Sequence, residues 1–382
     1  MKTLPKAIVT LVMACACHFG YATELEDNLR STWEAMWTQT GYPLPLSRWE
    51  LPKGSALKIR LTGFGVDGQR TNALKAVAEV TTAAGLLFVD VSTEPDAEKT
   101  AQITIEFLSP LTTSTELGDR LACGALPRRN DDSNAIEFVR ILVKNGHAGT
   151  CMHHELMHAM GIPGHPSGKT ILSYFPWRQD QLSDFDRKLL RAWYSTRVRS
   201  RLLPFEALGP LTVEMIASQG PSTFEDYRPL ERTRVKFIST VIAEMESFAN
   251  GQGEIPAIIL RSGMTSSLAV NKAKAEIAFN LGFTYQTGNL VTADIGQAIQ
   301  WFETAASQGH LYAHALLIDI YGNEDSLQKD LIKAYQWTVL LATQIDSPKI
   351  KEALEKQRAL LTTEQQKEAQ SRAAGFVYRT PS

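Results

Sequence analysis

Three residues on one short stretch could do chemistry together. They are His154, Glu155 and His158, in the run Cys151-Met152-His153-His154-Glu155-Leu156-Met157-His158-Ala159-Met160-Gly161. Histidines four apart on a helix share one face, one turn from each other. Two ring nitrogens so placed can bind one zinc ion at about 2.0–2.1 Å. Glu155 falls about 100° further round the helix, where it can take a proton from activated water rather than ligate the metal. Gly161 lets the chain reverse, because glycine tolerates a positive φ at a helix end. Pro163, Gly164 and Pro166 keep the next segment out of helix, and His165 comes within reach as a third nitrogen ligand. The bland alternatives are a surface helix with two exposed histidines and a turn residue, His165, facing solvent. Leu156 and Met160, placed for packing, weigh against the first. His153 lies on another face and reads as a supporting or surface residue; His147 reads as a loop residue before the helix.

Other elements must position this helix. Residues 56–62 alternate and are rich in strand formers, and a glycine turn at Gly63, Gly65 and Gly68 follows. Residues 72–84 have helical spacing, with Gly85 as the stop. Residues 86–91, 102–108 and 136–143 read as further strands, and 149–160 as the histidine helix. This β-α-β-β-β-α order predicts an α+β fold: a mixed sheet with helices packed on it. Residues 182–195 read as a closing helix capped by Ser183, with Asp184 and Asp186 at its positive end.

The histidine stretch resembles the metzincin zinc peptidases, whose pattern is HExxHxxGxxH followed by a methionine-containing turn. His154, Glu155, His158 and Gly161 match position for position, and HELMHAMG is especially similar to astacin-type enzymes. Two positions depart. Gly164 stands where the family has its third histidine, with His165 one later, so either the turn holds an extra residue or His165 misses the metal. Thr170-Ile171-Leu172-Ser173-Tyr174 resembles the methionine turn, with Leu172 in the methionine's place. The resemblance covers roughly residues 55–196. It implies a zincin-like sheet with an active-site helix, a zinc ion (Zn2+) held by His154, His158 and His165, and Glu155 as general base. It also implies a catalytic role for Tyr174, through zinc or the substrate carbonyl; the alternative for Tyr174 is a core or strand aromatic.

The 382-residue chain has 44% hydrophobic residues, enough for real cores, and a net charge of −2, which gives no footprint for nucleic acid. Residues 1–22 read as a signal peptide: Lys2 and Lys6, an apolar stretch over 7–17 too short to span a bilayer, then small residues before cleavage after Ala22. The alternatives are a short buried helix and a lipoprotein anchored through Cys15. The mature protein is expected to be periplasmic or secreted, and not transmembrane. Cys15 and Cys17 lie in the leader, leaving Cys123 and Cys151. Export favours a bridge between them, worth roughly 3–4 kcal/mol by chain entropy; the competing role is thiolate ligation of the metal.

Beyond about residue 200 the chain reads as helical. Residues 201–224, rich in proline and glycine, read as a linker between a domain at 23–200 and a helical domain at 225–382. Leu281, Tyr285, Asp294, Ala298, Trp301 and Ala306 recur 36 residues later as Leu317, Tyr321, Asp330, Ala334, Trp337 and Ala342. A fixed period of this size marks a helical-hairpin array. The copies at 276–309 and 312–345 resemble Sel-one-like repeats, relatives of the tetratricopeptide hairpins, which implies protein contacts; the alternative is a brace for the first domain. Helices within 225–275 should cover one end of the array. A helix over 363–374, with Thr363 and Gln366 at capping-box spacing, should close the other.

The expected function is zinc-dependent hydrolysis of peptide bonds in a protein or peptide substrate. Two rivals stand beside it. One is a catalytically silent envelope scaffold that acts through its repeats. The other is cleavage of a non-protein amide such as a cell-wall peptide.

Overall fold

A computed structural model describes residues 24–37, 43–110, 117, 121–144, 147–174, 181–261 and 266–378. The expected signal peptide and Cys15 lie outside these residues. The chain divides into two compact units. The first comprises Met1–Gln39 and Leu44–Ser239, the second Thr40–Pro43 and Thr240–Ser382. No described helix is long and apolar enough to cross a membrane.

The first unit opens with helix α1 (24–35). It continues through β1 (Ala56–Gly63), α2 (Val66–Ala84), β2 (Leu87–Asp90), the short α3 (Ala97–Thr100), β3 (Ile103–Phe107), β4 (Cys123–Arg129) and β5 (Ile136–Val143). Helices α4 (Ala148–Ala159), α5 (Asp184–Trp193) and α6 (Pro204–Ala217) follow, and α7 (Phe224–Ala249) crosses the division between the units. The five strands form one sheet in the order β2-β1-β3-β5-β4. β2, β1, β3 and β5 run parallel; β4 pairs antiparallel with β5. Leu57, Ile59, Ile103, Ile105, Val139 and Ile141 are wholly buried, as alternation in β1 and apolar runs in β3 and β5 require.

Several expectations shift. β4 is not legible as a strand, because Gly124, Pro127, Arg128 and Arg129 are poor strand formers; proline is tolerated there because β4 lies at the sheet edge. The glycine turn is shorter than expected: Gly65 caps α2 in the left-handed region at φ 64°, and Gly68 lies inside the helix. Residues 201–224 are not a linker but contain α6. Pro204 sits at its first turn, where no donor is lost, and Glu206 accepts from Leu203 N at 2.8 Å. Burial of Phe205, Leu208, Leu211, Met215 and Ile216 overrides the helix-breaking cost of Pro210.

Residues 46–50 bind the sheet domain's helices together. Arg48 Nη1 donates to the carbonyls of Trp193, Ser195 and Val198 at 2.9, 3.1 and 2.8 Å, capping the negative end of α5. Trp49 Nε1 donates to Ala159 O at 2.9 Å, and Tyr194 Oη to Met160 O at 2.9 Å. Both bonds satisfy carbonyls at the end of α4.

The second unit holds the short α8 (Ala257–Leu260) and the hairpins α9 (Ser267–Thr287) with α10 (Ile295–Ser307), α11 (Leu311–Gly322) with α12 (Leu331–Gln344), and α13 (Pro348–Arg358) with α14 (Thr363–Ala374). The recurring tyrosine and aspartate have a common task. Tyr285 O and Tyr321 O accept from Asp294 N and Asp330 N at 2.9 and 2.8 Å. The aspartate side chains then cap α10 and α12. At α14 the capping box is Thr362 with Gln365, one residue before the expected pair. Burying Leu361 sets that register, and Gln366 instead binds the carbonyls of Arg358 and Leu361.

Arg48→Met should cost about 3 kcal/mol, since three carbonyls lose a charged donor. Chemical denaturation followed by tryptophan fluorescence reads the loss, and a change under 1 kcal/mol would contradict the clasp.

Candidate metal centre

Helix α4 presents the histidine face because its other faces are fixed. Leu156, Met157, Ala159 and Met160 are wholly buried. At its first turn Cys151 is disulfide-bonded to Cys123 of β4, with a Cα–Cα distance of 6.4 Å. At its far end Gly161 takes φ 91°, and a β-carbon there would collide with the Ser47 carbonyl oxygen. Only glycine lets the chain reverse there.

The three imidazoles meet beyond this turn. His154 Nε2 lies 3.1 Å from His158 Nε2 and 3.2 Å from His165 Nε2; His158 and His165 are 3.1 Å apart through the same atoms. The outer nitrogens are engaged elsewhere: His154 Nδ1 with Ile171 O at 2.9 Å, His158 Nδ1 with Ile162 O at 2.7 Å. A carbonyl can only accept, so both Nδ1 atoms carry the proton and both Nε2 atoms present lone pairs. Lone pairs facing one another at this distance repel unless a cation lies among them. Tetrahedral zinc with bonds of about 2.0–2.1 Å sets its nitrogens roughly 3.3 Å apart, so the donor set fits such an ion. Burial pushes the His158 pKa down, against the pull of the Ile162 carbonyl. That favours the neutral ring, the form that ligates.

Among the described residues, His154, His158 and His165 form the one cluster able to hold a metal. Glu155 stands outside it and is 7% exposed. Tyr174 is 62% exposed. Its ring stacks on His165, with centroids 4.0 Å apart and planes at 16°, and more loosely on His154 at 5.6 Å. His153 turns away to pair with Glu79 of α2 at 3.0 Å, and His147 is exposed before α4.

The floor of the site is the turn 170–173, closed by Ser173 N donating to Thr170 O at 3.1 Å. Leu172 is wholly buried in it. Asp186 holds this turn, a role that sequence reasoning missed. Its carboxylate accepts from the Thr170 hydroxyl, from Ile171 N at 3.1 Å, and from Ser183 N and Oγ at 2.8 and 2.7 Å. Burial pushes its pKa up, and these hydrogen bonds oppose the rise. The visible signal, Ser183 three before Asp186, reads equally well as a plain helix cap. A chain of contacts thus runs from α5 through Asp186 and Ile171 to His154 Nδ1. Glu34 of α1 is the other residue missed: its carboxylate accepts from Ser167, two residues after His165.

Comparison with known proteins bears on the second unit. Two Sel1 repeats match residues 275–310 and 311–344. The array therefore contains two Sel1 repeats, α9 with α10 and α11 with α12. Among solved structures, the chain is similar to c5321, a protective antigen present in uropathogenic Escherichia coli strains that displays an SLR fold, with 16% identity and a TM-score of 0.25. The match covers 52% of this chain and 50% of that one, so the chain spans about half of that protein's length. No curated protein matches this chain.

Asp186→Asn replaces one accepting oxygen with an amide nitrogen, while Ile171 N and Ser183 N can only donate. It should cost about 2–4 kcal/mol and weaken metal binding through His154. Thermal unfolding with and without zinc measures both effects; an unchanged difference between the two conditions would cut the link from Asp186 to His154.

Proposed function

We propose that the first unit is an exported zinc-dependent peptidase and that the Sel1 scaffold contacts a protein partner or substrate. The single observation that carries the reading is the convergence of three Nε2 atoms, two of them with tautomers fixed by backbone carbonyls. Support comes from the likeness of HELMHAMG to the metzincin helix and from Glu155 one residue past the first histidine. The leader-like start and the cysteine bridge suit an oxidising, extracytoplasmic site.

When bound at His154, His158 and His165, zinc supplies a Lewis acid that brings the pKa of water toward neutrality and polarises a carbonyl. Glu155 accepts the proton as water attacks the scissile carbon. It returns that proton to the leaving amine as the carbon–nitrogen bond breaks, leaving a carboxylic acid and an amine. Glu155 is buried beside the three rings' helix face, one residue past His154. Tyr174, stacked at the rim, offers a phenol hydrogen to the developing oxyanion. The loop with one extra residue before His165 is compatible with this chemistry, since the third Nε2 reaches the other two.

A second reading is favoured by the repeats alone: a catalytically silent scaffold with a structural or absent metal. Elemental analysis and casein or gelatin hydrolysis separate the two. Wild type should carry about one zinc per chain. Glu155→Ala should keep the metal while losing hydrolysis by 100-fold or more. Zinc with no hydrolysis of these proteins or of cell-wall peptides would favour the scaffold, and a wild type without zinc would end the peptidase reading. Tyr174→Phe should keep zinc and lower kcat by about 10- to 100-fold; unchanged kcat would reduce the phenol to a stacking ring.

A further inference from the structure

The segment that carries His165 is tied to the end of α1 on both sides. Before the histidine, Gly164 N donates to Ala35 O at 2.9 Å. A β-carbon on Gly164 would collide with the carbonyl oxygens of Glu34 and Trp37. After it, Ser167 N donates to Glu34 Oε2 at 2.6 Å, and Ser167 Oγ to the same carboxylate at 2.8 and 3.1 Å. Gly168 runs close by, where a β-carbon would meet the Ser31 hydroxyl. Two residues, His165 and Pro166, separate the anchors, and proline removes one of the remaining backbone freedoms.

Glu34 is badly placed for α1 itself. A carboxylate in the last turn of a helix faces the negative end of the macrodipole. Glu34 is also buried, at 6% exposed, which penalises an ionised group unless donors compensate. Ser167, in the ligand-bearing loop, supplies donors to it through both its backbone N–H and its hydroxyl. Local helix energetics disfavour this residue, and its carboxylate ties the end of α1 to the loop.

We propose that Glu34 is a positioning residue for His165, so that docking of α1 completes the metal centre. The inference rests on the zinc reading above. The extra residue ahead of His165 gives the loop slack, and the two anchors take it up: Gly164 is pressed against the carbonyls of α1, and Ser167 is held by the carboxylate. His165 is left with its Nε2 aimed at the other two.

The test is a double-mutant cycle on the full chain, with zinc affinity read by chelator competition and folding by thermal unfolding of the metal-free protein. Glu34→Ala should weaken zinc about tenfold or more, the size expected for a group that orients a ligand. Glu34→Gln, whose amide oxygen still accepts from Ser167 N, should recover most of that loss. In a His165→Ala background, Glu34→Ala should change zinc affinity less than about twofold while lowering stability as much as before. Should Glu34→Ala fold poorly, Ser167→Ala is the milder lesion, with a loss of a few-fold in the presence of His165 and none in its absence. An equal loss of affinity with and without His165, or none with it, overturns the role of Glu34. Unchanged zinc affinity in His165→Ala alone would instead overturn the three-histidine site on which the inference rests.

Discussion

Three nitrogens, each able to offer a lone pair, lie within 3.2 Å of one another at one end of α4. That is an unfavourable arrangement in a bare protein. Two of the rings cannot relieve it by changing tautomer, because their Nδ1 atoms are committed to the carbonyls of Ile171 and Ile162. His154 is buried while His158 and His165 are half-buried, and desolvation disfavours protonation of His158. A proton on His165 Nε2 or a cation among the rings would relieve the arrangement. Several buried polar contacts of the first unit lead to these rings.

That packing works in tiers. The carbonyls of Ile171 and Ile162 set the tautomers. Asp186 fixes the turn holding Ile171, and Gly161 fixes the reversal holding Ile162. Behind these, Trp49 and Tyr194 satisfy the last carbonyls of α4, and Arg48 fastens the end of α5 that delivers Tyr194. Each tier places a buried polar group whose partner is contributed by a distant segment, so loosening one leaves another unsatisfied. The cysteine bridge constrains the opposite end of the helix.

Local signals account for what could be read from the sequence, and distant contacts for what could not. The α4 spacing, the strands β1, β3 and β5, and the capping of α5 by Ser183 are stated within a few residues of themselves. β4 is not: its glycine, proline and arginines become a strand only because β5 offers an edge. Helix α6 hides behind prolines that would break an exposed helix but not a buried one. α1 buries Leu25, Leu29 and Trp33, and nothing local says that its end holds a loop 133 residues later. The role of Asp186 is ambiguous for the same reason. A capping aspartate and a turn-holding aspartate look identical until the turn is placed beside it.

The second unit follows the same logic with a different outcome. Tyr321 on α11 donates to Glu303 on α10, the helix before it, and Tyr285 on α9 donates to Glu246 on α7. Burial raises both phenol pKa values, and the nearby carboxylates add to it. Gln308 of α10 also donates to Ala249 O, at the end of α7. The C-terminal half of α7 thus meets α9 through the same tyrosine–glutamate contact that joins α11 to α10. A repeat unit cannot bury its hydrophobic face alone, so the array needs a cover at its open end. Val241, Ile242, Met245 and Phe248 provide the buried stripe. Residues 240–249 of α7 belong to the second unit, so removing them would take Glu246 from Tyr285 and expose the first Sel1 copy even with every repeat residue in place.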